Sequence, residues 1–167
     1  MRTIILNFIL FFNAFGLYAQ DAGLYPSLKP GIKAPLIKAT YASGKSFSLS
    51  KINSRYTLLY FYEVNCHLCE AVTPELIKLY ESYHKLGLEV IAVPVESDRK
   101  EWQNYTKEQG LTWINIFPDK DKTGQLKTDY LLAVSPTFYL LDKKKILLTK
   151  RLGRLEQVEE ELNQRIR

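Results

Sequence analysis

The chain contains two cysteines, Cys66 and Cys69, and two residues separate them. A thiolate can attack a disulfide sulfur, and a second thiol nearby can then release the resulting mixed disulfide. A disulfide between residues three apart closes a very short loop, so it would restrict the unfolded chain little and add little stability. The pair therefore favours redox exchange over a structural disulfide.

Two other uses of the cysteine pair fit the sequence poorly. A structural zinc site needs four ligands, and the two histidines of the chain are His67, inside the motif, and His84. Covalent attachment of c-type haem needs a histidine directly after the second cysteine, where this chain has Glu70. We therefore expect neither a metal nor a cofactor.

The residues around the pair predict that it lies where a strand turns into a helix. Tyr56–Tyr62 (YTLLYFY) is a continuous apolar and aromatic run, typical of a strand buried on both faces. Apolar residues then recur three or four positions apart as far as Leu86. This spacing predicts an amphipathic helix that ends at Gly87 and is kinked at Pro74.

The two cysteines are expected to differ because the first lies at the start of this helix. Cys66 would face the free N–H groups and the positive end of the helix dipole, which favour a thiolate. A protonated His67 would add to that effect. Cys69 lies one turn later and is expected to be shielded, so we predict that Cys66 attacks and Cys69 resolves.

The remaining patterns predict a single α/β domain. A turn at Ser43 and Gly44 divides residues 36–49 into a β-hairpin, and a capping box at Asp98 starts a helix that ends at Gly110. Further strands are predicted at residues 89–95, 112–117, 138–141 and 146–150, and further helices at residues 123–130 and 155–166. This alternation predicts a central sheet with helices on both faces.

Several noticeable side chains are expected to serve the fold alone. We expect Trp102 and Trp113 to pack in the interior, and His84 to interact favourably with the C-terminal end of its helix. Residues 143–145 are three consecutive lysines, and we predict that they form a turn in water.

The composition is that of an ordinary globular protein. Of the 167 residues, 46% are hydrophobic and 25% are charged, which excludes a disordered or collagen-like chain and fits one domain. The 23 basic and 18 acidic residues give a net charge of +5. Because the basic residues are not clustered, we do not expect nucleic-acid binding.

The N-terminus is typical of an export signal. Arg2 gives a positive start, residues 4–17 are almost entirely apolar, and the small Ala19 fits a cleavage site. A retained N-terminal anchor is the alternative. We predict three segments: a signal peptide at residues 1–19, an extended lead-in at residues 20–34 and the folded domain at residues 35–167.

Export would place the cysteines in an oxidising compartment, and the bacterial periplasm is the expected one. Thiols persist there only if another protein keeps them reduced. We therefore expect an electron donor or acceptor as a partner, for which a membrane protein is one candidate.

Several segments together carry a family resemblance. They are GIKAP at residues 31–35, YTLLYFY, the cysteine pair followed by Pro74, GLEVIAVPV at residues 87–95, Trp102, and VSPTFYLLD at residues 134–142. From about residue 30 to its C-terminus, the chain resembles the thioredoxin superfamily, specifically the exported TlpA/ResA-like thiol–disulfide oxidoreductases.

The resemblance implies a fold and a second part of the site. The fold is thioredoxin-like, with a central mixed β-sheet flanked by helices and an N-terminal β-hairpin extension. By the same resemblance, Pro136 follows a cis peptide bond, and Ser135 and Pro136 present backbone groups to an extended segment of a client protein.

The chain departs from the family pattern near the cysteines. Asn65 replaces the tryptophan that commonly precedes the first cysteine, and Tyr60 occupies the position of a buried acid that assists proton transfer. Asn65 and His67 are therefore the candidate modulating residues. Glu63 and Glu70 are the nearest carboxylates, but both are expected to be solvated, so no proton-transfer residue is assigned.

The resemblance implies that Cys66 and Cys69 exchange disulfides with client proteins. Reduction of the client is the preferred direction, although oxidation of the client would use the same residues and the sequence does not decide between the two. Two alternatives remain open. One is a non-enzymatic binding or assembly module that keeps the fold. The other is a peroxiredoxin-like peroxidase, which is disfavoured because peroxiredoxins have a threonine at the position held here by Glu63.

Overall fold

A computed structural model of the protein describes residues 28–166. The strands are β1 (Ala39–Tyr41), β2 (Tyr56–Tyr62), β3 (Leu88–Pro94), β4 (Ile114–Pro118) and β5 (Thr137–Asp142). The helices are α1 (His67–Tyr83), α2 (Arg99–Glu108), α3 (Thr123–Asp129) and α4 (Leu155–Arg165). The predicted signal peptide and the first part of the predicted lead-in lie outside the described residues.

The five strands form one mixed sheet in the order β1-β4-β3-β2-β5. The inner strands β2, β3 and β4 are parallel, whereas β5 runs antiparallel to β2 and β1 runs antiparallel to β4. This arrangement confirms the predicted central mixed sheet flanked by helices. Within residues 28–166, no helix combines the length and apolar character needed to cross a bilayer.

Strand β2 divides the interior into two apolar clusters because its side chains alternate between the two faces of the sheet. Leu58 and Tyr60 belong to the cluster formed with α1, α2 and α4. Leu59 and Phe61 belong to the cluster formed with α3 and the segment before β2. The strand is therefore covered on both faces, as its unbroken apolar run predicted.

The hairpin prediction at residues 36–49 is confirmed only in part. The turn forms at Gly44, whose φ of 81° is easily adopted by glycine, and Tyr41 N–H donates to the Lys45 carbonyl at 2.9 Å. The second arm contributes one isolated bridge, Thr40 with Ser46. Strand β1 pairs instead with β4 and forms the edge of the sheet.

The prediction that residues 146–150 form the second strand of a hairpin with β5 is confirmed only in part. The segment forms isolated bridges, in which Ile146 pairs with Lys33 and Leu147 pairs with Leu141. Its backbone groups alternate between two neighbours: Leu148 N–H donates to the Leu140 carbonyl of β5 at 2.8 Å, and Leu147 N–H donates to the Ile32 carbonyl of the lead-in at 2.8 Å. This pairing ties the N-terminal segment to the domain.

The prediction of a solvated lysine turn is wrong for Lys145. Lys143 and Lys144 are exposed, but Lys145 is only 4% exposed. Its Nζ donates to Thr57 Oγ1 at 2.8 Å and to Ser54 Oγ at 3.3 Å. Burial lowers the pKa of Lys145.

The two tryptophans pack in the interior as predicted. Trp102, in α2, is fully buried, and Trp113 is 4% exposed and donates through Nε1 to Asn115 at 3.1 Å. Helix α1 continues through Pro74, which is exposed, and His84 follows as the capping residue of its C-terminal end.

We expect the free energy of unfolding to fall when the pH rises above about 10. Burial raises the pKa of Tyr60, Tyr130 and Tyr139, in the last case to about 12. An unfolded chain releases these protons near pH 10, so each buried tyrosine would remove about 1.4 kcal/mol per pH unit above that point. The lowered pKa of Lys145 changes the free energy of unfolding with pH in the opposite direction, but Lys145 is a single group.

Urea unfolding followed by tyrosinate absorbance at about pH 8 and about pH 11 measures this loss. The unfolding midpoint should be lower at the higher pH, with the tyrosinate of the buried residues appearing only on unfolding. An unchanged midpoint, or tyrosinate forming fully before unfolding, would contradict the burial of these hydroxyl groups.

Candidate active site

Cys66 lies at the junction between β2 and α1 and caps the N-terminus of the helix. Its Sγ accepts a hydrogen bond from Cys69 N–H at 3.3 Å, and its carbonyl accepts one from Glu70 N–H at 2.9 Å. The unpaired N–H groups at a helix start carry partial positive charge, so the Cys66 sulfur lies at the positive end of the helix dipole. The predicted placement of Cys66 is confirmed.

The two sulfurs differ in exposure. Both cysteines are free thiols; Cys66 is half-buried, whereas Cys69 is 0% exposed. Burial, followed by the hydrogen bond with Cys66, raises the pKa of Cys69 to about 12. Cys69 therefore remains a thiol at neutral pH, and Cys66 is the sulfur that a reagent in solution can reach.

The loop before β5 lies beside Cys66 because β5 is antiparallel to β2 and begins where β2 ends. Phe61 pairs with Thr137, so Ser135 and Pro136 lie at the end of the sheet that carries the cysteines. The Cys66 thiol donates to the Ser135 carbonyl at 3.7 Å. The Ser135–Pro136 peptide bond is cis, as predicted.

Glu63 joins the two loops of this site, and the prediction that it is merely solvated is wrong. Its side chain is half-buried, and Ser135 Oγ donates to Glu63 Oε1 at 2.9 Å. The Glu63 carbonyl also accepts a hydrogen bond from Cys66 N–H at 3.2 Å. Glu70, by contrast, is exposed, as predicted.

Aromatic and hydroxyl groups fill the interior behind Cys69. Thr73 Oγ1 donates to the Cys69 carbonyl at 2.9 Å and lies 2.8 Å from the Tyr105 hydroxyl. Tyr60 is 1% exposed, and its hydroxyl has no hydrogen-bond partner among residues 28–166. Burial holds the pKa of Tyr60 well above its usual value, so a neutral phenol occupies the position at which the family often has an acid.

The candidate modulating residues lie at the protein surface next to Cys66. Asn65 and His67 flank Cys66 in sequence, and both side chains are exposed.

Among residues 28–166, no three side chains of histidine, cysteine, aspartate or glutamate converge in a way that could hold a metal ion. The arrangement supports thiol chemistry at Cys66, with Cys69 one turn below it.

Ser135→Ala is expected to slow disulfide exchange about fivefold, because the loop that faces Cys66 loses its hydrogen bond to a carboxylate. Glu63→Ala should have a similar effect, and the double variant should be no slower than either single variant. The measurement is kcat/KM for the reduction of insulin in a double-mutant cycle.

Glu70→Ala is the matched control for this cycle, because Glu70 is an exposed acid next to the motif. It should leave the rate unchanged. Additive effects of Ser135→Ala and Glu63→Ala would contradict the view that the two residues act through their mutual hydrogen bond.

Comparison with known proteins agrees with this geometry. Residues 53–147, more than half of the chain, match the protein family described as thioredoxin-like. The thiol-disulfide oxidoreductase ResA of Geobacillus thermodenitrificans is 28% identical over 143 residues, which cover 86% of this chain and 80% of the relative.

Solved structures share the fold. A domain of a possible thiol-disulfide isomerase from Cytophaga hutchinsonii is 28% identical, with a TM-score of 0.73 over 83% of this chain and 94% of that chain. The thioredoxin domain of a thiol-disulfide oxidoreductase from Bacteroides vulgatus has a TM-score of 0.76 over 84% of this chain and 100% of that chain, at 23% identity. The match of more than half of the chain, the shared fold and the paired thiols at a helix start assign this chain to the thioredoxin-like family, as a thiol–disulfide oxidoreductase.

Proposed function

We propose that this protein reduces disulfides of client proteins outside the cytoplasm, with Cys66 as the attacking group and Cys69 as the resolving group. The observation that carries the proposal is the difference between the two sulfurs. Cys66 is half-buried at the start of α1, and Cys69 is fully buried one turn below it. An accessible nucleophile above a shielded thiol matches the order of a two-step exchange.

In the first step, the Cys66 thiolate attacks one sulfur of the client disulfide. A bond forms between Cys66 and the client, and the second client sulfur leaves and takes up a proton. In the next step, Cys69 loses its proton and attacks the Cys66 sulfur, which releases the client as a dithiol. Two electrons and two protons have then moved to the client, and this protein holds a Cys66–Cys69 disulfide.

The loop at Ser135 supports the binding of a client next to Cys66. The Ser135 carbonyl lies 3.7 Å from the Cys66 sulfur, and the Ser135 hydroxyl is already engaged with Glu63. The backbone of Ser135 and Pro136 is thus held beside the nucleophile, where an extended client segment would pair with it. Asn65 and His67 are exposed on either side of Cys66 in the sequence and would tune its reactivity.

Export to the bacterial periplasm is part of the proposal, and the positive start and apolar run of residues 2–17 support it. In an oxidising compartment, the protein needs a second partner that returns it to the dithiol state. That partner, an unidentified thiol electron donor, would attack the Cys66–Cys69 disulfide by the same chemistry.

Insulin reduction with dithiothreitol as the electron source tests the proposed activity. The wild type should accelerate the reaction, and a variant with both cysteines changed to serine should not. Failure of the folded wild type would favour the assembly-module alternative. Rapid consumption of hydrogen peroxide without insulin reduction would favour the peroxidase alternative.

A further inference from the structure

A groove of about 420 Å³ begins at Pro136 and runs between the first turns of α1 and the start of α4. It adjoins the candidate active site, because Pro136 follows the residue whose carbonyl accepts a hydrogen bond from the Cys66 thiol. Its other apolar lining residues include Leu68, Val72 and Leu155. The groove therefore borders the place where the proposed client segment would lie.

One of the apolar side chains that line the groove is exposed to solvent. Leu68 lies two residues after Cys66 and is 62% exposed, although it belongs to the otherwise amphipathic α1. Val134, next to Ser135, is also exposed, at 56%. The exposed Leu68, together with the groove residues Val72 and Leu155, gives an apolar surface suited to interaction with another chain.

The charged residues of the groove are mainly acidic. Glu75, Glu156 and Glu159 line it together with one basic residue, Arg154. Glu75 forms a salt bridge with Lys78 at 3.0 Å, which leaves Glu156 and Glu159 as the main negative groups. Both are exposed on the first turns of α4, in a protein whose net charge is +5.

We propose that this groove selects client segments that carry an apolar side chain and a lysine or arginine next to the attacked cysteine. The apolar side chain would cover Leu68 and Val72, and the cation would lie against Glu156 and Glu159. This proposal rests on the proposed client exchange and adds the chemistry of the preferred client. Charge complementarity of this kind governs selectivity and association rate more than affinity.

The test uses two disulfide-linked peptides that differ at one position. Both carry a leucine beside the cysteine, and the next residue is lysine in one peptide and glutamate in the other. The wild type should have about a fivefold higher kcat/KM for the lysine peptide at low salt. The preference should decrease as the ionic strength rises, because both glutamates are exposed.

The double variant Glu156→Lys and Glu159→Lys should reverse the preference between the two peptides. The milder variant with glutamine at both positions should bring the ratio close to one. Glu160→Lys is the matched control: Glu160 is an exposed acid of α4 that is absent from the groove lining, so its replacement should leave the ratio unchanged. A misfolded variant would lose both activities and would not reverse the ratio.

Equal kcat/KM values for the two peptides with the wild type would overturn the groove proposal while leaving client reduction intact. The groove proposal would also be overturned if Glu160→Lys reversed the preference between the two peptides as strongly as the double variant does. Such a result would show an effect of overall charge. If the wild type reduces neither peptide nor hydroxyethyl disulfide, the proposed function itself fails and the groove proposal fails with it.

Discussion

Cys66→Ser is expected to abolish insulin reduction and to leave the native protein without a thiol that iodoacetamide modifies at neutral pH. The reason is that the remaining sulfur, Cys69, is 0% exposed, and burial, the largest cause of its raised pKa, does not depend on the Cys66 sulfur. The measurement is the alkylation rate against pH together with insulin turnover.

The half-buried position of Cys66 makes the serine replacement mild, so the variant should keep the circular dichroism spectrum of the wild type. Alkylation in denaturant controls for the presence of Cys69 and should modify one thiol. Rapid alkylation of native Cys66→Ser would contradict the assignment, because it would show that the second sulfur is accessible.

Cys69→Ser is expected to keep the attacking thiol and lose the release step, so that a mixed disulfide between Cys66 and the client accumulates to nearly one per protein. Non-reducing gels and mass spectrometry of the linked peptide measure this product. The hydroxyl of serine would be fully buried at this position, so Cys69→Ala serves as a second variant without a buried polar group.

Cys66→Ser is the matched control for the trapping experiment and should form no mixed disulfide with the client. Trapping by Cys66→Ser but not by Cys69→Ser or Cys69→Ala would reverse the two roles. If no variant forms a mixed disulfide and the wild type does not reduce insulin, the assembly-module alternative is favoured.

The parts of the fold that depend on local patterns were predictable. Strand β2 has the bounds that its apolar run predicted, and α1 follows it directly after Cys66. Both signals arise within about 20 residues, because side-chain periodicity reports which faces of an element are buried. The position of the cysteine pair at a strand-to-helix junction follows from those two elements alone.

The parts that depend on distant residues were not predictable from local patterns. Ser135 lies 72 positions from Glu63, so nothing near Glu63 indicates that its carboxylate is hydrogen-bonded. The placement of Ser135 and Pro136 at the site came instead from the family resemblance, which carries information about long-range pairing.

The burial of Lys145 also depends on residues that are distant in the sequence, so it was not predictable from the local pattern. A third consecutive lysine predicts solvent exposure, because lysine is rarely buried. Only the folded chain brings the hydroxyls of Ser54 and Thr57 within hydrogen-bonding distance of its Nζ. A residue type predicts the average environment, and a specific pair of distant partners can override it.

The reduction potential of the Cys66–Cys69 pair tests the central claim, that this protein is a reductant, most directly. It is measured by equilibrating the wild type with glutathione or dithiothreitol buffers and counting the free thiols. The proposed function predicts a value close to that of thioredoxin, about −270 mV. A value close to that of the oxidant DsbA, about −120 mV, would contradict it and indicate that the protein oxidises its clients.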